Sequence, residues 1–192
     1  KKNPFGKEGD FITAPNITRL FSEIIAIWVI TFWKSIGSPK KFNLLELGAG
    51  NGEMMKVIIT TLKNFPEFFD NCIFLIHEKS ELLTKQQQQN LQTTNVNWVS
   101  DIKNINSFPT IFLANEFFDA LPIKQYIYKN KKWFERYVEI DTKNKIKFLD
   151  IPTKLPNFKK ICKLDIAKNQ KFIEFSMPAI NYIKNISNII KK

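Results

Sequence analysis

Residues 44–52 read LLELGAGNG. An apolar run, Phe42 to Leu47, ends here in glycines at alternate positions, Gly48, Gly50 and Gly52, and opens into a segment of helical pattern, Glu53 to Lys63. The order is a strand, a glycine turn and a helix. Glycines let the backbone bend tightly and come close to a ligand, because no Cβ stands in the way. The helix start offers free N–H groups and the positive end of a dipole. A dinucleotide fingerprint needs G-x-G-x-x-G, but here the third glycine comes one residue early and Glu53 stands in its place. The competing reading is a strand-to-helix turn that is merely glycine-rich.

Outward from this turn the chain alternates. A lead-in to Pro15 precedes a helical pattern over 17–35, in which Ile17, Leu20, Phe21, Ile24, Ile25 and Trp28 recur at three and four. Thr13 or Asn16 is positioned to cap it, and the apolar stretch Ile24 to Phe32 predicts a buried helix. Strands are predicted at 72–77, 96–99 and 110–114, with a helix over 80–92 capped by Ser80. The run Gln86 to Gln89 reads as a solvated helix face. This alternation predicts an α/β fold with a doubly wound parallel sheet. Beyond it, 124–128, 132–139 and 145–149 read as short antiparallel strands. Residues 151–165 are weakly patterned, 172–175 form a strand and 179–190 a helix. The organisation expected is a helical lead-in, 1–40, packing over the ligand site, followed by a partial nucleotide-type domain, 41–192, with an antiparallel insertion near 124–150.

The 192 residues carry a net charge of +11 and a pI of about 9.6. Such charge suits an acidic partner such as nucleic acid. The other reading is composition: lysines are spread along the chain, and arginine occurs only at Arg19 and Arg136. No apolar run approaches the ~20 residues that span a bilayer, so no membrane insertion is expected. No leader segment is visible. Cys72 and Cys162 lack metal-ligand spacing, so no metal is expected, and they read as reduced core residues. The single histidine, His77, reads as packed at a strand end.

In open α/β sheets ligands sit beyond the carboxyl ends of the strands. The second strand is followed by Glu78, an acid able to accept ribose hydroxyls through charge-assisted hydrogen bonds. The third is followed by Asp101, which suits an adenine edge or ordinary loop chemistry. The fourth is followed by Asn115, Glu116, Phe117, Phe118 and Asp119. Polar groups beside two phenylalanines need partners. Glu116 and Asp119 suit a cationic acceptor such as a guanidinium, held by bidentate hydrogen bonds or relieved of its proton. The alternative is a capping and turn cluster.

The loop Glu46-x-Gly48-x-Gly50-x-Gly52 resembles motif I of S-adenosylmethionine-dependent methyltransferases. Taken with GDFITAPNITRLFSE (9–23), HEKSELLTKQQQQNL (77–91), ANEFFDALP (114–122), WFERYV (133–138) and EFSMPA (174–179), the chain resembles the MidA family. That family includes the mitochondrial complex I assembly protein-arginine methyltransferase and bacterial relatives. The resemblance implies a class I methyltransferase fold, S-adenosylmethionine as methyl donor, and a protein arginine, symmetrically modified on a respiratory complex I subunit, as acceptor. It implies cofactor positions at Glu46, Gly48, Gly50, Gly52 and Glu78, and a segment, Gly9, Asp10 and Thr13, folded over the cofactor. Asn115, Glu116 and Asp119 fall on the acceptor side. It implies the cytoplasm in a bacterium and the mitochondrion in a eukaryote. Departures are Asn16 for a usual Glu, Ala49 and Asn51 for Pro and Arg, and Lys79-Ser80-Glu81 for a Ser-Pro pairing. The family continues past EFSMPA, so later strands of the sheet are expected to be missing from residues 1–192.

Two other functions compete. Asn115-Glu116-Phe117-Phe118 loosely echoes the Asn-Pro-Pro-aromatic motif of amino-group methyltransferases acting on nucleic acid or glutamine, but both prolines are absent, which argues against nucleic acid. The fold is also compatible with a non-catalytic assembly factor.

Overall fold

A computed structural model describes residues 13–92 and 94–190. The chain divides into two compact units. One runs to Asp119 and resumes at Asn185; the other is Ala120–Lys184.

The first unit holds a four-stranded parallel sheet built from β1 (Phe42–Leu47), β2 (Cys72–His77), β3 (Val96–Val99) and β4 (Thr110–Leu113), in the order β3-β2-β1-β4. All six residues of β1 are buried, as a central parallel strand covered on both faces requires. Its one amide, Asn43, is satisfied: Nδ2 donates to Asn106 Oδ1 at 2.8 Å and to Thr110 Oγ1 at 3.0 Å. The helix α3 (Glu53–Leu62) starts at Gly52, and α4 (Pro66–Phe69) follows.

Ahead of the sheet lie α1 (Ala14–Ile17) and α2 (Arg19–Ser35). The single helix read over 17–35 therefore starts two residues later. Thr18 adopts an extended conformation and its side chain accepts from Leu20 N, making Thr18 the N-cap in place of Thr13 or Asn16. The expectation of a buried helix over 24–32 holds for one face only. Ala26, Val29, Ile30 and Trp33 are buried, while Ile24, Trp28 and Phe32 are exposed. The inner face ends in a ring cluster: the Trp33 ring lies tilted 5.9 Å from Phe42 and edge-on 5.3 Å from Phe68, and these two meet edge-on at 4.8 Å. The Trp33 indole donates to Pro39 O at 3.1 Å, so its polar atom is satisfied.

The second unit is an antiparallel sheet, β7-β6-β5-β8, from β5 (Lys124–Lys129), β6 (Lys132–Ile140), β7 (Ile146–Pro152) and β8 (Phe172–Phe175). Its core gathers Tyr126, Phe158, Ile173 and Phe175. Phe158 begins α6 (Phe158–Cys162), a short helix within the weakly patterned stretch 151–165; Asn157 Oδ1 caps it by accepting from Lys160 N. The helices α5 (Glu81–Asn90) and α7 (Met177–Ile190) complete the elements.

Candidate functional site

The strand order reverses at β1. The chain passes from β1 to β2 to β3 on one side, then places β4 on the other. The crevice beyond the carboxyl ends of β1 and β4 is thus the topological switch point, where such sheets bind ligands. Two sequence motifs emerge there, the glycine loop after β1 and Asn115 to Asp119 after β4.

The loop uses its glycines for conformation. Gly48, Gly50 and Gly52 have φ of +66°, +55° and +84°, the region disfavoured for residues with a Cβ. Gly48 is also needed for space: a Cβ there would lie 2.6 Å from Phe117 Cδ2. Phe117 of the post-β4 segment therefore sits directly against the glycine loop, with Phe118 edge-on to it at 5.3 Å. Glu116, the residue before, is exposed and holds a left-handed φ of +48°. Asp119 is exposed and Asn115 half-buried.

Beneath the loop lies Glu46. It is 3% exposed, and Oε2 has no hydrogen-bond partner among the described residues. Burial pushes its carboxyl up to about 8. The contrast with Asn43 on the same strand is informative. The structural amide is bonded through both nitrogen and oxygen, while Oε2 of the carboxyl two residues before Gly48 has no partner among the described residues, which costs free energy unless a ligand uses it. A buried acceptor below a loop of left-handed glycines fits a cofactor with a cationic end, and S-adenosylmethionine carries an ammonium and a sulfonium.

At the end of β2, Glu78 is half-buried and firmly held. Oε1 accepts from the N–H groups of Lys79 and Ser80, both at 2.9 Å. Oε2 accepts from Gln87 Nε2 at 3.2 Å. Glu78 borders an open groove of about 450 Å³ between α5 and the end of β3. Asp101 caps a 3-10 turn, Ile102–Asn104, accepting from Lys103 N at 3.0 Å. His77 is 2% exposed with Nδ1 at 2.9 Å from Val99 O, a packed histidine.

The lead-in reaches the loop as well. Thr13 Oγ1 accepts from Asn16 Nδ2 at 2.9 Å, and Asn16 Oδ1 accepts from Asn51 Nδ2 at 3.0 Å. Asn16 and Asn51 are two of the departures from the family pattern, and they meet in space. The contact is closed by a pair of amides. Gly9 and Asp10 lie outside the described residues.

Sequence reading missed one residue of this site. Gln87, expected on a solvated face, is fully buried. The signal was the spacing: Leu83, Gln87 and Leu91 fall at intervals of four and form one stripe, which the repetitive glutamines obscured.

Comparison with known proteins accords with this geometry. A family model described as "Putative S-adenosyl-L-methionine-dependent methyltransferase" matches residues 24–192. The chain belongs to this methyltransferase family. Among its curated relatives, the mitochondrial protein arginine methyltransferase NDUFAF7 of Xenopus laevis is 31% identical over 170 residues, covering 75% of this chain and 39% of that protein. The human protein of that name is 28% identical over 181 residues, covering 81% of this chain and 41% of its own length. A Burkholderia thailandensis protein crystallised with S-adenosyl-homocysteine superposes with a TM-score of 0.77 at 23% identity, over 97% of this chain and 49% of that one. The chain thus spans less than half the length of these methyltransferase relatives. The expected class I α/β fold is borne out, as is S-adenosylmethionine as the family's cofactor.

Proposed function

We propose that this chain carries the donor site, and one wall of the acceptor site, of a protein-arginine methyltransferase. The observation that supports the proposal is the contact of Gly48 with Phe117, which lies between Glu116 and Asp119 in the chain. Glu46, the glycine loop, Glu78 and Asp101 hold the cofactor, with Thr13 linked to that loop through Asn16. Bound S-adenosylmethionine supplies an electrophilic methyl group on a sulfonium. The protein's task is then to align a nitrogen and exclude water. Two carboxylates on one short loop match a guanidinium, and one of them accepts the proton that the nitrogen loses. Relatives named as protein arginine methyltransferases support arginine as acceptor. The family resemblance extends the proposal to a respiratory complex I subunit and a role in assembly, in mitochondria or, in a bacterium, the cytoplasm.

The test uses the full chain, calorimetric titration of S-adenosylmethionine, and methyl transfer to arginine-containing protein. Glu116→Gln and Asp119→Asn are expected to keep cofactor affinity and to slow transfer by about 10²-fold or more. Transfer at the unaltered rate in both variants would remove these residues from the acceptor side.

A further inference from the structure

We infer that Gln87 is a positioning residue for the cofactor ribose, setting the Glu78 carboxylate and the glycine loop in one fixed relation. This rests on the reading that Glu78 receives the ribose hydroxyls.

The geometry leaves the Gln87 amide one orientation. The Trp98 indole can only donate, and its N–H lies 2.9 Å from Gln87 Oε1. The NH₂ group must then face the other way, where it meets two acceptors, Gly50 O at 2.9 Å and Glu78 Oε2 at 3.2 Å. Each of its two hydrogens has a partner, and so does its oxygen. One buried side chain thus spans the turn after β1, the acid after β2 and the indole on β3. Gln87 Cγ and Leu91 Cδ1 face the loop at Gly52, each 3.4 Å from where a Cβ there would stand. The neighbouring bond from Asn90 Nδ2 to Asn51 O, 2.8 Å, ties α5 to the same loop a second time.

The consequence falls on Glu78. A carboxylate offers about four acceptor positions. Lys79 N and Ser80 N occupy Oε1, and Gln87 takes one position on Oε2. What remains for a ligand is the outward side of Oε2, and Gln87 decides where that side points.

The experiment measures, in the full chain, the affinity of S-adenosylmethionine and of its analogue lacking the ribose 2′- and 3′-hydroxyls. The ratio of the two reports the hydroxyl contacts alone. Unaltered protein is expected to favour the hydroxylated cofactor. Gln87→Met, which keeps volume and loses the amide, is expected to weaken both ligands through the loop. It should also reduce the ratio about tenfold, the worth of a misplaced charge-assisted hydrogen bond. A residue needed only for folding would weaken both equally and leave the ratio unchanged; that result overturns the inference. Glu78→Gln separates the two layers. If it leaves the ratio intact, the ribose reading falls and takes the inference with it. If it collapses the ratio while Gln87→Met does not, only the role of Gln87 falls. Should Gln87→Met fail to fold, Gln87→Glu replaces it, since that side chain keeps an acceptor for Trp98. Its neutral form can donate to Glu78 and its ionised form cannot, so its ratio is expected to approach that of the unaltered protein in acid and to fall as pH rises. A pH-independent ratio equal to that of the unaltered protein overturns the inference.

Discussion

Cofactor binding should expel a proton, and Glu46 should be its source. Burial pushes this carboxyl from 4.5 up to about 8. One pH unit below that value, at pH 7, about nine molecules in ten carry the proton. A cation seated above Oε2 favours the ionised form and draws the group well below neutrality. Binding at pH 7 is therefore expected to release about 0.9 proton per cofactor, about 0.5 at pH 8 and about 0.1 at pH 9. The assay is titration calorimetry in buffers of differing ionisation enthalpy, where the slope of observed heat against that enthalpy counts protons. Glu46→Gln should flatten the slope. The same group shapes stability in the absence of ligand. Its folded value lies above its unfolded one, so its contribution is complete below about pH 4.5 and is lost as pH rises towards 8. The loss is roughly 1.4 kcal/mol per pH unit across that window. A zero slope in the unaltered protein, or a slope that survives Glu46→Gln, would refute the reasoning.

Gly48→Ala should destabilise the first unit by about 1–3 kcal/mol through its left-handed backbone, with the Phe117 clash in addition; adding Phe117→Ala should relieve only the clash, which thermal unfolding of Gly48→Ala, Phe117→Ala and the double variant will show. Trp33→Ala opens a cavity between Phe42 and Phe68 and should cost about 3–5 kcal/mol in denaturant unfolding. Asn16→Glu with Asn51→Arg replaces the amide pair by an opposite-charge pair, and the double variant should unfold within about 1 kcal/mol of the parent and above Asn16→Glu alone; additivity of the two changes would show that the side chains do not interact.

The parallel sheet was legible because β1 to β4 are short apolar runs closed by turn residues, and the glycine turn fixed which end carries the site. What escaped detection depended on single side chains. Thr18 breaks the first helix by capping the second, and nothing in the apolar spacing on either side reveals it. β7 reaches Pro152, three residues past the expected end at Leu149; as the sheet's edge strand it tolerates a proline that a central strand would not. Gln87 sits in a run of four glutamines, and composition said solvent where periodicity said interior. Glu46 is visible as a residue, but its missing partner is a property of three dimensions, as is the contact between Gly48 and Phe117, 69 positions apart.

The loop also contains a chemical clock. Asn51-Gly52 is the dipeptide whose amide most readily cyclises, when the glycine nitrogen attacks the asparagine side-chain carbonyl and ammonia leaves. Here the attack is blocked on both sides. Gly52 N donates to Ala49 O at 2.8 Å, while Asn51 Oδ1 accepts from Glu53 N and its Nδ2 is bound to Asn16. Deamidation should therefore await local opening of the loop. Isoaspartate at position 51, followed by mass spectrometry in stored samples, should accumulate more slowly when cofactor is present, and equal rates in native and denatured protein would show that the fold gives no shelter.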